Sequence, residues 1–363
     1  MDAAPAHNPE LEFADILPLP PLQRYTGPNP ADLCSFLYCT PETARETVER
    51  YGVAIVTGVI PDEECLQLYR EILEGLQFIT KHSDNPLIAD DPSTHKNYKQ
   101  LSGNMLLQCF SVAHIQACWK IRQDRRIVRI FCKLYGIEDP TQLLVSTDGI
   151  AFMPGDESAA RDTDKKLHSD QRFTRFGHWR WQSWFTCCDV QPGDATLEFL
   201  LGSHLLHEEF ARHFFSPEIT KDWPKKELDK IKKDWYQIAP GPQMDFYADR
   251  GCPRRRIACP KGSLVIWDSR TIHAGVPPLP NRPHNNPRCV VYVCYALKEE
   301  ATEKQLKRKR ELLDRDETCS HDPIAPRPFA KRPYNFGNGP KFPVDPLPKP
   351  ELSPLGKSLA GLS

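Results

Sequence analysis

The chain has 363 residues, enough for two average domains or for one barrel with helical additions. Its 47 Lys and Arg balance 48 Asp and Glu, so charge gives no ground for a nucleic-acid partner or an acidic membrane surface. No apolar run approaches the ~20 residues that cross a bilayer, and neither end carries a recognisable address, which leaves the cytoplasm as the default location.

Residues 1–40 read as a Pro-rich N-terminal arm. Thr40-Pro41-Glu42 is a helix opening, with a helix to about Arg50, a strand in GVAIVTGVI and a second helix from Pro61 to about Ile79. His82-Ser83-Asp84 follows among turn formers and reads as surface loop. One more helical stretch spans about Val112 to Tyr135. From Leu143 the pattern changes to strands: LLVSTDGIAFMPG, WRWQSWFTCCDV, ATLEFLLGSH, RIACPKGSLVIWD, TIHAG and RCVVYVCYAL, most of them separated by Gly and Pro turns. Many short strands of this kind argue for a sandwich or barrel. The barrel core is expected over about 143–297, interrupted by an insertion at 205–255 that is either a lid or a solvated Lys-rich helix. A helix at 302–316 carries a basic run, Lys307 to Arg310, read as a solvated face. The domain is expected to close at about 319, and 320–363 reads as Pro-rich extended coil with no part in a site. Thirteen cysteines without a Cys-x-x-Cys pair read as small core residues of a reduced compartment.

Within the strand region, His168-Ser169-Asp170 is followed 105 residues later by His273, and fifteen residues after that by Arg288. Two imidazoles and one carboxylate form the facial set that binds Fe(II) and leaves the opposite face open. Residues i and i+2 of a strand point to one side, so one strand end can offer His168 and Asp170 to a single ion. Arg288 adds a planar fork suited to a carboxylate. A bare His-x-Asp is a weak signal, as the second copy at His82 demonstrates. Only the His168 copy has strands around it, with a further His and Arg.

These segments resemble the phytanoyl-CoA dioxygenase-like branch of the Fe(II)/2-oxoglutarate oxygenases. The likeness rests on LHSDQ (167–171), QSWFTCCDVQPGDATLEFLLGSH (182–204), CPKGSLVIWDSRTIHAG (259–275) and the Arg288 strand, and it covers roughly residues 50–300. It implies a chain that is mainly β with flanking helices (α+β), with a double-stranded β-helix (jelly roll, cupin-like) core. It also implies iron held by His168, Asp170 and His273, 2-oxoglutarate as co-substrate with its distal carboxylate on Arg288, and O2 as oxidant. Arg282 rivals Arg288, because LPNRPHNNP (279–287) looks like a loop insertion. The expected reaction is hydroxylation of a small organic substrate with decarboxylation of 2-oxoglutarate to succinate and CO2. Retention of Asp170 favours hydroxylation or desaturation over halogenation. The alternative is a catalytically silent or cupin-type metal-binding protein of the same fold.

Gln182 and Trp267-Asp268 are candidates to support the ligands, although Gln182 could equally face solvent. Arg172, Arg175, His178 and Arg180 could receive an anionic substrate or could line a solvated loop. His204, His207 and His213 do not form His-Glu-x-x-His, and a helix start capped by Ser203 accounts for them.

Overall fold

The computed structural model describes residues 34–102, 104–155, 167–280, 285–329 and 342–362. Its strands are Tyr38–Cys39 (β1), Val53–Val56 (β2), Leu106–Leu107 (β3), Leu143–Val145 (β4), Ile150–Met153 (β5), His168–Ser169 (β6) and Trp181–Thr186 (β7). They continue with Thr196–Leu200 (β8), Tyr236–Gln237 (β9), Arg254–Arg256 (β10), Leu264–Asp268 (β11), His273–Val276 (β12), Arg288–Tyr292 (β13) and Tyr295–Leu297 (β14). One sheet runs β1-β2-β11-β7-β13-β5-β3, a second runs β10-β8-β12-β6-β9, and β4 pairs with β14. This is the expected mixed α+β architecture, a double-stranded β-helix with flanking helices.

The large sheet is apolar at nearly every position because both of its faces are covered. Val53, Ile55, Trp184, Val265, Trp267 and Val290 pack together with Leu197 and Phe199 of the smaller sheet. Their neighbours Ala54, Val56, Phe185, Leu264, Ile266 and Val291 belong to a different cluster, shared with the helices Asp62–Thr80 and Arg125–Tyr135. The two-residue period thus splits each strand between an inter-sheet core and a helix-covered back. Gln182, Arg288 and Tyr292 share the inward phase of Trp184 and Val290. In the helix Asp62–Thr80, three acids in the first turn complement the dipole, and Leu68, Ile72, Leu76 and Ile79 recur on one face. Burial of each such side chain contributes roughly 1.5–3 kcal/mol.

Several boundaries differ from the sequence reading. The first helix begins at Ala44 rather than Thr40, whose hydroxyl is used in a turn with Thr43. The stretch 112–135 breaks at Gln123, because the Asp124 carboxylate accepts from Arg126 N–H and starts a new helix. The runs from Leu143 and from Arg288 each divide, and their pieces β4 and β14 pair outside the large sheet. Ser203 does not cap a helix. Its Oγ donates to Leu200 O and accepts from Ile272 N–H, which fixes the chain just before His273. Within the basic run, Lys309 is buried and donates to Val145 O, so that face is not wholly solvated.

The insertion 205–255 supplies more than a Lys-rich helix: it contributes β9 and the first residues of β10, the two edges of the smaller sheet. After Cys319 the chain is not simply extended coil. Phe342, Leu347, Leu359 and Ala360 join the main core, and a helix forms at Pro354–Leu359. All thirteen cysteines are free thiols and twelve are buried. Among the described residues, no helix is long and apolar enough to cross a membrane.

Candidate metal centre

Strand register explains how residues 105 apart meet. β12 and β6 are antiparallel neighbours, and His273 is the direct partner of His168. Directly opposed residues of such a pair have Cβ atoms about 5 Å apart and project to one side; the two imidazole rings lie 4.5 Å apart by centroid. Asp170 leaves the end of β6 with its Oδ1 3.6 Å from His168 Nε2 and its Oδ2 3.5 Å from His273 Nε2. One ligand atom from each residue lies within 4.8 Å of the other two. A single ion with bonds of about 2 Å spans such a triangle.

The supporting contacts suit a metal. His273 Nδ1 is 2.8 Å from Thr271 O, so this nitrogen carries the proton and Nε2 presents its lone pair toward Asp170. Gln182 is buried, not solvent-facing, and its Nε2 donates to Asp170 Oδ2 over 2.9 Å. Behind Asp170, Gln171 Nε2 donates to the carbonyls of Arg175 and Gly177 and its Oε1 accepts from Ser269, which pins the turn. Burial acts to raise the Asp170 pKa, but His321, His168 and His273, when protonated, outweigh it and hold the carboxyl far below its usual range, a role that a cation bound by the triad would take over.

A cavity of about 510 Å³ opens on the triad, lined among others by Gln182, Trp267, Tyr292, Trp235, Asp148 and His321. Arg288 is buried beside it, with Nη1 donating to Ala195 O while Nε and Nη2 have no acceptor among the described residues. Two unsatisfied donors on a buried guanidinium are costly unless an acceptor beyond the described residues pairs with them. Tyr292, four residues on along the same face, lies against this guanidinium and lines the cavity. Arg282 lies outside the described residues.

Other candidates have different duties. Asp268 does not support a ligand; it holds Arg270 through both oxygens and also meets His178. Trp267 does stand beside the site, its ring 5.4 Å from that of His273. The basic segment 172–180 is not a reception site. Arg172 and Arg175 pair with Asp234, Arg180 pairs with Glu300, and none of the three lines the cavity. Because Asp234 precedes Trp235, those arginines hold the insertion so that the Trp235 ring lies 5.7 Å from that of His168. His204 and His207 bond to backbone carbonyls and His82 to Asp345 at the surface, so neither rival group assembles a site.

Sequence reading missed Asp148, Trp235, Gln237 and His321. Asp148 left a trace as a polar Ser-Thr-Asp within an apolar strand run. His321 left none, since it sits in the Pro-rich segment expected to take no part.

A double-stranded β-helix with two imidazoles and a carboxylate converging in an inter-sheet cavity defines the class of mononuclear facial-triad metal sites. A family model described as phytanoyl-CoA dioxygenase (PhyH) matches residues 48–279, well over half of the chain. The chain therefore belongs to the phytanoyl-CoA dioxygenase family of Fe(II)/2-oxoglutarate-dependent oxygenases. It is similar to Ava biosynthesis cluster protein O of Aspergillus versicolor, 26% identical over 277 residues, covering 73% of this chain and 81% of that one. Two solved structures share the fold at 16% identity. A protein of Salmonella typhimurium LT2 described as a candidate oxidoreductase has a TM-score of 0.52, covering 88% of this chain and 82% of that one. The hypothetical protein JW0805 of Escherichia coli has a TM-score of 0.51, covering 92% and 84%.

Proposed function

We propose that the chain is a non-haem Fe(II)/2-oxoglutarate-dependent dioxygenase that hydroxylates an unactivated C–H of a small organic substrate. Decarboxylation of 2-oxoglutarate to succinate and CO2 accompanies the reaction. The observation that carries this reading is the convergence of His168, Asp170 and His273 on the wall of a cavity of about 510 Å³. That volume suits a small molecule, and a relative named for a biosynthesis cluster supports a specialised metabolite as substrate.

When bound, iron and 2-oxoglutarate supply the oxidising chemistry; the chain binds, orients and shields. His168, Asp170 and His273 hold the ion, and Thr271 and Gln182 fix two of those ligands in orientation. Arg288 pairs its open donors with the distal carboxylate of 2-oxoglutarate. Trp235, Trp267 and Tyr292 narrow the cavity and exclude water. Residues 41–319 act as one catalytic domain, extended by the segment that carries His321. The many buried free thiols support a reducing compartment such as the cytoplasm.

Anaerobic titration of the full chain with Fe(II) and 2-oxoglutarate tests this. A visible metal-to-ligand absorption band is expected in the wild type and not in His168→Ala. A well-folded wild type that gives no band overturns the reading.

A further inference from the structure

We infer that Asp148 and His321 form the substrate-recognition pair of this cavity, selecting a neutral or cationic molecule that donates a hydrogen bond over an anionic one. The inference rests on the oxygenase reading above and names the substrate class for the same site. Neither residue is in the ligand triad, and His321 lies beyond the stretch that the family model matches.

Position comes first. Asp148 sits between β4 and β5, where Arg122 donates to its carbonyl and holds the backbone. Its Oδ1 accepts from Gly149 N–H at 2.6 Å, and Oδ2 has no donor among the described residues. The residue is 5% exposed and lines the cavity, so the part of its carboxylate that takes no donor from the described residues is left to whatever fills that cavity. A carboxylate oxygen in such a place is an acceptor for a donor group of the molecule that displaces water from the cavity.

His321 is delivered by a pinned segment. Cys319 N–H donates to Thr147 O, the residue before Asp148, and Thr318 Oγ1 accepts from Ala113 N–H. Ser320 N–H donates to Arg327 O and Phe329 N–H to Thr318 O, closing a narrow loop with His321 near its start. Its Nδ1 stands 4.0 Å from Asp170 Oδ2, beyond hydrogen-bond distance, and neither ring nitrogen has a hydrogen bond among the described residues. The imidazole thus lines the cavity within ion-pair range of Asp170, and its ring nitrogens take no hydrogen bond from the described residues.

Charge decides the class. The described lining includes Asp148 and Asp170 but no Lys or Arg: Arg172, Arg175 and Arg180 are engaged with Asp234 and Glu300, and Arg288, behind Tyr292, is the cation assigned above to the carboxylate of 2-oxoglutarate. A carboxylate or phosphate on the substrate would face Asp148 without a compensating cation, whereas a hydroxyl or ammonium group satisfies it. Trp235, Trp267 and Tyr292 complete the lining with aromatic surface suited to a ring-bearing body.

Three matched probes test this: benzyl alcohol, benzylamine and benzoate. Each is titrated into full-length protein with Fe(II) and saturating 2-oxoglutarate under anaerobic conditions, following the perturbation of the absorption band. The same series is read by melting temperature in metal-free protein. The alcohol and the amine are expected to bind at least tenfold more tightly than benzoate. Asp148→Asn, which keeps the acceptor for Gly149, should remove the preference for the amine over benzoate, and His321→Ala should weaken the alcohol and the amine. Benzoate binding as tightly as the other two, or both variants reproducing the wild-type ranking, overturns the inference. A missing band condemns the oxygenase reading alone, since the melting series still ranks the probes.

Discussion

Gln182 Nε2 donates to Asp170 Oδ2 over 2.9 Å, a bond that ties β7 of the large sheet to the turn after β6 of the smaller one. It restrains the carboxylate while both imidazoles approach it from the other strands. Gln182→Leu should keep the fold and lower Fe(II) affinity by about 10–100-fold, the usual range for loss of a group that orients a ligand. Metal titration monitored alongside a melting curve checks this. Unchanged affinity would mean that Asp170 is held without Gln182.

Arg288 presents Nε and Nη2 without acceptors among the described residues, in an environment where only 2% of the residue is exposed. If these donors receive a carboxylate, Arg288→Ala should raise the Kd for 2-oxoglutarate by about 30-fold or more, equivalent to ~2 kcal/mol. Metal affinity measured without co-substrate should stay near wild type. The same loss appearing in Arg282→Ala instead would transfer the role to the 279–287 loop.

The triad was legible because its chemistry is written in residue types and its strand context in aromatic and β-branched runs. His82 shows what composition alone cannot do: it has the same His-Ser-Asp spelling yet bonds Asp345 at the surface. Separating the two copies required the strands around His168, and the register His168↔His273 then made the long separation irrelevant. Asp148 and His321 stayed hidden for a physical reason. They reach the cavity through tertiary packing of Thr147 against Cys319, and no local period encodes a contact between such distant segments. The basic segment 172–180 misled because unpaired and paired arginines look alike until Asp234 and Glu300 are placed beside them.

Gly149 is a test of how tightly the cavity wall is packed. A Cβ added there would stand 2.1 Å from Leu107 O, a backbone atom of β3 that cannot swing aside as a side chain could. Gly149→Ala should cost about 1–3 kcal/mol and shift the adjacent wall, Asn104 to Gln108. Gly58→Ala meets no atom within 4 Å and carries only the penalty of a positive φ, about 1 kcal/mol. Denaturant unfolding of the two variants should therefore rank Gly149→Ala as the less stable. The reverse order would show that β3 yields easily.

Acid should loosen the contact that carries the C-terminal segment. His114 is buried, with Trp119 Nε1–H directed at its Nδ1 (3.5 Å) and its Nε2 3.2 Å from Glu317 O, an arrangement that needs the neutral ring. Burial is the main force lowering its pKa to about 4, with Arg122 adding to it; Glu317 O and Asp316 act the other way. Because the folded value lies below the unfolded one, the unfolded chain binds the extra proton first. Stability from this group is complete above about pH 6.5 and is lost as pH falls toward 4, by on the order of 3 kcal/mol. His207, lowered to about 4 by burial and then by Arg270, adds a loss of the same sign in the same window. Urea unfolding at pH 7.5, 5.5 and 4.5 should show falling stability, with a shallower fall in His114→Gln, whose amide can donate and accept without taking a proton. An identical pH dependence in that variant would remove His114 from this account.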